Sequence, residues 1–224
     1  MMLTTDGGLT MPARIKTTRK VAKGRREHFT GQFTFGSDEG RTMDIESNTE
    51  LRVALVTIAR SDVVGLENQV PFNWVGPGGK SATHHFDFRV LMADGRRRAI
   101  MVKSEYRRRQ LKVQKELAQI AAQVTPDFAD DVVVMTERDI DPIELFNAEM
   151  MHEMRRADPE ADAAARRAVG EIFASVQVQD LVEAIGLGAR GFRAVVRLIR
   201  SHELTLINKV RIAHEAYVCR RIQK

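Results

Sequence analysis

The sequence predicts a mixed α/β domain, in which a mixed sheet is flanked by helices, followed by a small and mainly helical unit. Between residues 44 and 136, segments with the period of an amphipathic helix alternate with short apolar runs typical of strands. The acidic, alanine-rich residues 149–170 predict a connecting helix, and the pattern changes after them. A chain of 224 residues is long enough for two domains that each bury a core.

The first domain is predicted over residues 27–148. A helical pattern that begins after Asp44 has an apolar stripe through Leu51 and Leu55, which indicates one buried face. A continuous apolar run at 131–136 indicates a strand covered on both faces. In chain order the predicted elements are this helix, two strands over 63–74 and 83–92 joined by a glycine-rich turn, a strand through 100–103, a helix over 105–123 and the strand over 131–136.

The second unit is predicted over residues 171–224. Helical patterns at 178–185 and 189–201 are separated by a short glycine-containing turn, and residues 204–218 fit a short β-wing and a closing element. This order of elements resembles a winged helix, a unit that often binds DNA.

Arginines recur at helical spacing on the second of these helices, opposite its apolar residues. A recognition helix that contacts phosphates or guanine edges has this pattern, and so has any solvated helix face, so both alternatives stay open. Arginines also crowd the start of the helix at 105–123. The candidate DNA-binding residues are therefore Arg190, Arg193, Arg197, Arg200, Arg107 and Arg108.

Composition favours an acidic partner and a reducing compartment. The sequence has 35 Lys and Arg against 30 Asp and Glu, a formal charge of +5 and a pI near 9.6, which suits nucleic acid. The single cysteine, Cys219, excludes an internal disulfide and a cysteine-based zinc cluster. No apolar run approaches a membrane span and no signal peptide is recognisable, so we expect a soluble, cytoplasmic protein.

Residues 1–26 are expected to form a flexible basic arm, because they combine several lysines and arginines with little apolar periodicity. Such an arm can lie along a phosphate backbone or simply increase solubility, and the sequence favours neither.

The length of the loop in the second predicted hairpin decides how its strands pair. A two-residue turn would mismatch the apolar faces of the two strands. A three-residue loop at 93–95, with its glycine in the left-handed conformation, instead places Phe86 opposite Val102 and Phe88 opposite Ile100. The hydrophobic pattern therefore predicts the three-residue loop.

The same register predicts a candidate site, because it brings Asp87, Met101 and Lys103 to one face. Metal-dependent phosphodiester cleavage needs carboxylates that converge on a hard cation, together with a positive side chain near the phosphate. Glu50 is a further candidate, although residues 47–50 also fit a capping box in which Glu50 reaches back to the Ser47 amide. The sequence leaves both roles of Glu50 open.

Five short motifs follow one another in a fairly specific order and spacing. They are Glu50-Leu51, Asn68-Gln69-Val70-Pro71, Phe86-Asp87-Phe88, Met101-Val102-Lys103 and Val134-Met135-Thr136-Glu137-Arg138-Asp139-Ile140. In order and spacing they resemble the N-terminal nuclease domain of TnsA, the end-cutting partner of a cut-and-paste transposase. The resemblance covers roughly residues 20–145, and a winged-helix-like unit follows where that family has one.

The resemblance implies a restriction-endonuclease-like core that cuts one DNA strand at transposon ends while a partner transposase cuts the other. Glu50 and Asp87 would be metal ligands, and Lys103 would orient the attacking water or stabilise the charge on the phosphate. The implied cofactor is Mg²⁺, with Mn²⁺ as a substitute. The implied partners are DNA, the transposase subunit and an ATP-dependent regulator of the transposition complex, and the implied location is the nucleoid.

The sequence departs from the family pattern at two positions of the candidate site. The family usually has Gln or Glu where Met101 stands, and a thioether is too soft to bind Mg²⁺, so the Met101 ligand would be its backbone carbonyl. Glu105 is an alternative ligand. Phe86 stands where the family tends to have Pro, a change that is compatible with a buried strand.

Three functions therefore compete. The first is a transposon endonuclease similar to TnsA, and the second is a restriction or repair nuclease of the same fold without a transposase partner. The third is a non-catalytic DNA-binding adaptor with a degenerate nuclease core, which the methionine at position 101 would suit.

Overall fold

The computed structural model describes residues 2–3, 9–15, 31–36 and 40–221. Apart from a few N-terminal residues, a first compact unit ends at Asp141 and a second begins at Pro142. Helices and mixed sheets occur together, as the sequence predicts for a mixed α/β protein. Among the described residues, no helix combines the length and the apolarity needed to cross a membrane.

The part of the chain up to Asp141 contains the elements that position the candidate site. The strands are β1 (Met2–Leu3), β2 (Leu9–Thr10), β3 (Ala13–Arg14), β4 (Gly31–Phe35), β5 (Arg41–Ile45), β6 (Val63–Val75), β7 (Ser81–Met92), β8 (Arg97–Val102) and β9 (Asp131–Met135). The helices are α1 (Asn48–Ile58), α2 (Glu105–Arg108) and α3 (Leu111–Ala121), and a 3-10 turn spans Pro77–Gly79.

The main sheet has the strand order β6-β7-β8-β9. The strands β6, β7 and β8 pair antiparallel, and β9 pairs parallel to β8. Helix α1 contacts β5, β6 and β8, and Leu117 and Ile120 of α3 are buried against Phe86 and Met101 of the sheet. The predicted order of elements is therefore confirmed, but the single helix predicted at 105–123 is wrong, because α2 ends at Arg108 and α3 begins at Leu111.

The loop between β7 and β8 has the predicted three residues. The Met92 N–H donates to the Arg96 carbonyl at 2.8 Å, and the Gly95 N–H donates to the Met92 carbonyl at 3.0 Å. Gly95 has a φ of 86°, the left-handed conformation that this loop needs. The predicted pairing of Phe88 with Ile100 is confirmed.

The alternation of side chains along β7 is broken at Asp87, which the sequence did not predict. Phe86 and Phe88 would share a face of a regular strand. Phe88 pairs with the neighbour of Met101, whereas Phe86 packs with Met101 itself in the core against α3, so the two phenylalanines lie on opposite faces. The predicted pairing of Phe86 with Val102 is wrong, because the Val102 N–H donates at 2.6 Å to the Asp87 carboxylate. A common face for Asp87 and Met101 is also wrong, for the same reason.

Part of the expected basic arm is ordered. The strand β3 pairs parallel with β5, which also pairs antiparallel with β4. The Arg14 guanidinium forms an ion pair with the buried Asp44 carboxylate. The prediction of a flexible arm is therefore wrong for residues 13–15, and residues 16–30 lie outside the described part of the chain. A five-residue strand with few apolar residues carries little periodicity, which explains why β4 and β5 were not predicted.

The second unit is described here by itself. Its helices are α4 (Pro142–Glu153), α5 (Pro159–Gly170), α6 (Val178–Ile185) and α7 (Ala189–Arg200), and its strands are β10 (Val176–Gln177), β11 (Leu204–Leu206) and β12 (Tyr217–Arg220). The strands form an antiparallel sheet in the order β10-β12-β11. The predicted helices at 178–185 and 189–201 and the strands within 204–218 correspond to these elements.

The single connecting helix predicted at 149–170 is wrong. This segment contains the end of α4 and all of α5, with a break before Pro159. The Asp158 carboxylate caps α5 by accepting from the Ala161 N–H at 3.3 Å, and Pro159 occupies the first turn. An N-cap aspartate followed by proline starts a new helix, because proline disfavours helical geometry in the residue before it.

Candidate active site

Lys103 and Asp87 meet at the end of β8. The Lys103 Nζ lies 3.7 Å from the Asp87 Oδ2 and donates to the Val102 carbonyl at 2.9 Å. The Lys103 N–H also donates to the Met135 carbonyl of β9 at 3.0 Å, which fixes the backbone at this point. The structure therefore brings together the aspartate and the lysine that the sequence predicts as a pair.

Asp87 is a carboxylate held largely out of water, with only 9% of the residue exposed. Burial raises the pKa of Asp87 above its usual range, and the negative charge of Glu46 adds to this. The positive charge of Lys103 and the hydrogen bond from the Val102 N–H act in the opposite direction. Asp87 therefore lies in an environment that is poorly neutralised for a buried acid.

Gln69 marks a second irregularity, on the strand beside Asp87. In β6 the residues on either side of Gln69 pair with Phe88 and Phe86 of β7, so Gln69 faces the backbone position of Asp87. Gln69 is buried and has a φ of 51°, a left-handed conformation that is uncommon for residues other than glycine. A strained backbone costs free energy that the surrounding structure must offset. Such strain is often found at functional sites.

Glu50 forms the helix cap that was one of its two predicted roles, and its role as a metal ligand stays a prediction. It lies in the first turn of α1, where its N–H donates to the Ser47 Oγ at 3.1 Å. Its carboxylate accepts from the Ser47 Oγ at 3.1 Å and from the Glu46 N–H at 3.0 Å, so the reciprocal cap forms with the amide one residue before the predicted one. Burial and the negative charge of Asp87 raise the pKa of Glu50 to about 7. A helix cap alone does not require this second, buried carboxylate nearby.

Two further polar residues, Glu46 and Asn68, were not predicted as site residues. The negative charge of Glu46 acts on both Glu50 and Asp87. Asn68 of β6 is buried, and its Nδ2 donates to the Asp44 carbonyl at 3.0 Å. The Asn68 Oδ1 has no hydrogen-bond partner among the described residues. Only the resemblance motif pointed to Asn68, and the proximity of Glu46 depends on how β5 leads into α1.

Met101 contributes no side chain to this site. Its thioether is fully buried in the core with Phe86, Leu117 and Ile120. The role of its backbone carbonyl as a ligand stays a prediction. Because its side chain packs against α3, Met101 contributes to the hydrophobic core.

Glu105 is not placed to substitute as a ligand. One of its carboxylate oxygens accepts from Arg108 at 2.8 Å and the other accepts from Arg109 at 2.8 Å. These hydrogen bonds lower the pKa of Glu105 to about 2. Because both oxygens are used within α2 and its cap, the suggested alternative ligand is wrong for this arrangement.

The carboxylates of Glu50 and Asp87 are the type of ligand that a hard divalent cation prefers. Glu50 and Asp87 supply two buried carboxylates whose charges repel each other, and a cation between them would relieve that repulsion. Among the described residues, no group of three or more His, Cys, Asp and Glu side chains is arranged to hold a metal ion. The remaining oxygen ligands would therefore come from backbone, water or a phosphate, as is usual for Mg²⁺.

The arginines predicted to contact DNA fall into two groups. Arg107 and Arg193 are exposed. The others are paired or partly buried: Arg108 pairs with Glu105, Arg190 pairs with Asp158 and Glu160, Arg197 pairs with Asp162, and burial lowers the pKa of Arg200.

The arginine face of α7 is therefore only partly solvated. The Arg197 side chain is only 11% exposed, and its Nε donates to the Asp162 Oδ1 at 2.7 Å. Acids at the start of α5 lie against α7 and neutralise Arg190 and Arg197, whereas Arg193 stays exposed. Spacing within one helix could not predict that a second helix covers this face.

No protein-family model matches this sequence, and no curated protein sequence matches it. The geometry around Asp87 is thus the basis for assigning a function to this chain.

Proposed function

We propose that this protein is a divalent-metal-dependent DNA endonuclease similar to TnsA, which cuts one strand at transposon ends as the partner of a transposase. The observation that carries the proposal is the 3.7 Å approach of the Lys103 Nζ to the Asp87 carboxylate beside the buried Glu50. Two acids with raised pKa values next to one lysine are costly for folding and useful for cleaving a phosphodiester.

Each residue has a distinct proposed role. Glu50 and Asp87 hold Mg²⁺, or Mn²⁺ as a substitute, and the backbone carbonyl of Met101 is a further proposed ligand. When bound, the metal lowers the pKa of a water molecule and stabilises negative charge on the phosphate. Lys103 orients the attacking water or stabilises the charge that develops on the phosphate, and its side chain is 23% exposed.

We also propose a fold assignment for each unit. A mixed sheet in the order β6-β7-β8-β9, contacted by α1 and α3 and bearing acids on α1 and β7 and a lysine after β8, supports a restriction-endonuclease-like core. The succession α5, β10, α6, α7, β11 and β12 supports a winged helix in the second unit. The partners proposed with this assignment are DNA, the transposase subunit and its ATP-dependent regulator.

Titration calorimetry with Mn²⁺ tests the site without a substrate or a partner. The full chain is compared with Asp87→Ala and with Asp87→Asn, which keeps the shape of the side chain. We expect wild type to bind Mn²⁺ and both variants to lose binding, while circular dichroism and the melting temperature show an intact fold. Cleavage of supercoiled DNA in Mg²⁺ is expected to disappear in the same variants. A well-folded Asp87→Ala that still cleaves DNA would refute the assignment.

The position of Met101 favours a second candidate function, that of a non-catalytic DNA-binding adaptor. Its side chain belongs to the core, and no third acidic or histidine ligand joins Glu50 and Asp87 among the described residues. Absence of Mn²⁺ binding by wild type, both alone and with DNA, would favour the adaptor. Efficient cleavage of plain duplex by the isolated chain would instead favour a restriction or repair nuclease.

A further inference from the structure

A surface next to Lys103 is formed by the segments that follow β8 and β9. The two strands are parallel, so their carboxyl ends lie side by side, and the Lys103 N–H donates to the Met135 carbonyl there. The Glu137 carboxylate, after β9, accepts from the Glu105 N–H at 3.0 Å and thereby joins the start of α2 to the turn at 136–139. Tyr106 and Arg107 of α2 therefore share one surface with Arg138 of the turn.

Tyr106 is a large aromatic side chain that is 76% exposed on a well-supported backbone. The Ser104 Oγ accepts from the Arg107 N–H at 3.3 Å, and the Ser104 carbonyl accepts from the Arg108 N–H at 2.9 Å. The Glu137 carboxylate holds the Glu105 N–H as well, so the backbone that carries Tyr106 is fixed on both sides. An exposed aromatic ring on such a fixed support loses little conformational entropy when a partner covers it.

The cations near Tyr106 favour an anionic partner, because the neighbouring Glu137 and Asp139 carboxylates already accept hydrogen bonds from backbone N–H groups. Arg107 and Arg138 are exposed and have no side-chain ion pair among the described residues. Arg108 and Arg109, by contrast, are bound to Glu105. Unpaired cations on the same surface as an exposed aromatic ring are the combination that binds single-stranded nucleic acid, in which bases stack on the ring and phosphates contact the cations.

We propose that the surface formed by Tyr106, Arg107 and Arg138 binds the nucleotides beside the cut phosphodiester and stacks an unpaired base on Tyr106. Tyr106 lies three residues after Lys103, so a base on its ring belongs to a nucleotide near the phosphate that Lys103 contacts. This placement beside the cut rests on the proposed function, whereas the binding of single-stranded DNA does not. The substrate is then DNA in which a nucleotide next to the cut is unpaired or easily unstacked.

Fluorescence anisotropy of a short labelled oligothymidylate tests this surface, with the full chain in EDTA so that no metal contributes. We expect Tyr106→Ala to bind about tenfold more weakly, the scale of losing one stacked base, and Tyr106→Trp to bind as wild type does. Arg107→Ala and Arg138→Ala should each reduce the salt dependence of binding by about 0.7 in the logarithmic slope. Phe173→Ala is the matched control, because Phe173 is a fully exposed aromatic residue of the second unit.

Unchanged binding by Tyr106→Ala, or an equal loss in Phe173→Ala, would overturn the proposal and leave a protein as the partner of this surface. Failure of wild type to bind the oligonucleotide would overturn it as well. Asp87→Ala is expected to bind the oligonucleotide normally in EDTA. Loss of the nuclease assignment and loss of the single-strand surface are therefore separate outcomes.

Discussion

The buried acids around Asp87 are poorly compensated by nearby charges, whereas two arginines of α7 are paired with acids. In the first unit, Asp87 and Glu50 are buried near each other and near Glu46, with Lys103 as the nearby cation. In the second unit, Arg190 and Arg197 are each matched by acids of α5 at hydrogen-bond distance. Both groups were candidate functional residues in the sequence, and the structure separates them.

The difference lies in whether the local charges are satisfied. Arg197 and Asp162 neutralise each other, so their pairing stabilises the packing of α5 on α7 and leaves little for a ligand. Asp87 and Glu50 have raised pKa values because the folded protein does not fully compensate them. A buried group that is poorly compensated in the free protein is a candidate for binding or catalysis, whereas a compensated pair is a structural feature.

The largest expected effect is a loss of stability when the Arg197–Asp162 pair is broken. Replacing Arg197 by methionine leaves Asp162 buried without its cation, and we expect a loss of about 3–5 kcal/mol in the free energy of unfolding. Urea denaturation measures this loss. The double variant Arg197→Met/Asp162→Asn should recover part of it, and Arg193→Ala, on the exposed side of the same helix, should change stability by less than about 0.5 kcal/mol. If Arg197→Met is stable but binds DNA more weakly, Arg197 contacts DNA rather than stabilising the fold.

The next largest effect is on catalysis, when Lys103 beside Asp87 is replaced. We expect Lys103→Ala to reduce cleavage by about a hundredfold to a thousandfold, the scale of removing one group that stabilises transition-state charge. Mn²⁺ binding should persist, because the substitution removes a positive charge 3.7 Å from the Asp87 carboxylate. Single-turnover cleavage and calorimetry measure the two quantities on the same variant. Joint loss of metal binding and cleavage would mean that Lys103 supports the shape of the site rather than the reaction.

The smallest expected effect is a gain in stability rather than a loss. The pKa of Glu50 is raised to about 7 in the folded protein from 4.5, so the folded state binds the proton more tightly than the unfolded state. The resulting stability is present below pH 4.5 and is lost as the pH rises through about 7. Glu50→Gln, which cannot ionise, should therefore be more stable than wild type at pH 8, by on the order of 2 kcal/mol. At pH 4 the two proteins should unfold at similar urea concentrations. Equal stabilities at pH 8 would show that Glu50 is better compensated than its surroundings suggest.

Local rules were sufficient for one half of the site. The loop at 93–95 was predicted because only a three-residue connection places Phe88 opposite Ile100, and the same loop brings β8 back so that Lys103 reaches Asp87. The capping box likewise predicted where α1 begins and hence where Glu50 lies. Such features depend on neighbours in sequence or across one hairpin.

The sequence by itself determined the order of the elements, the hairpin loop and the proximity of Asp87 to Lys103, because periodicity and turn chemistry are short-range properties. Glu50 was added to this pair only by the resemblance to TnsA. Only the tertiary structure decided which charged groups are compensated. The break in alternation at Asp87 depends on packing between two faces of a sheet, and the pairing of Arg197 with Asp162 depends on contact between two helices 35 positions apart in sequence. Burial and ion pairing result from such long-range contacts, and they distinguish a site that can bind a metal from a helix face that is already neutralised.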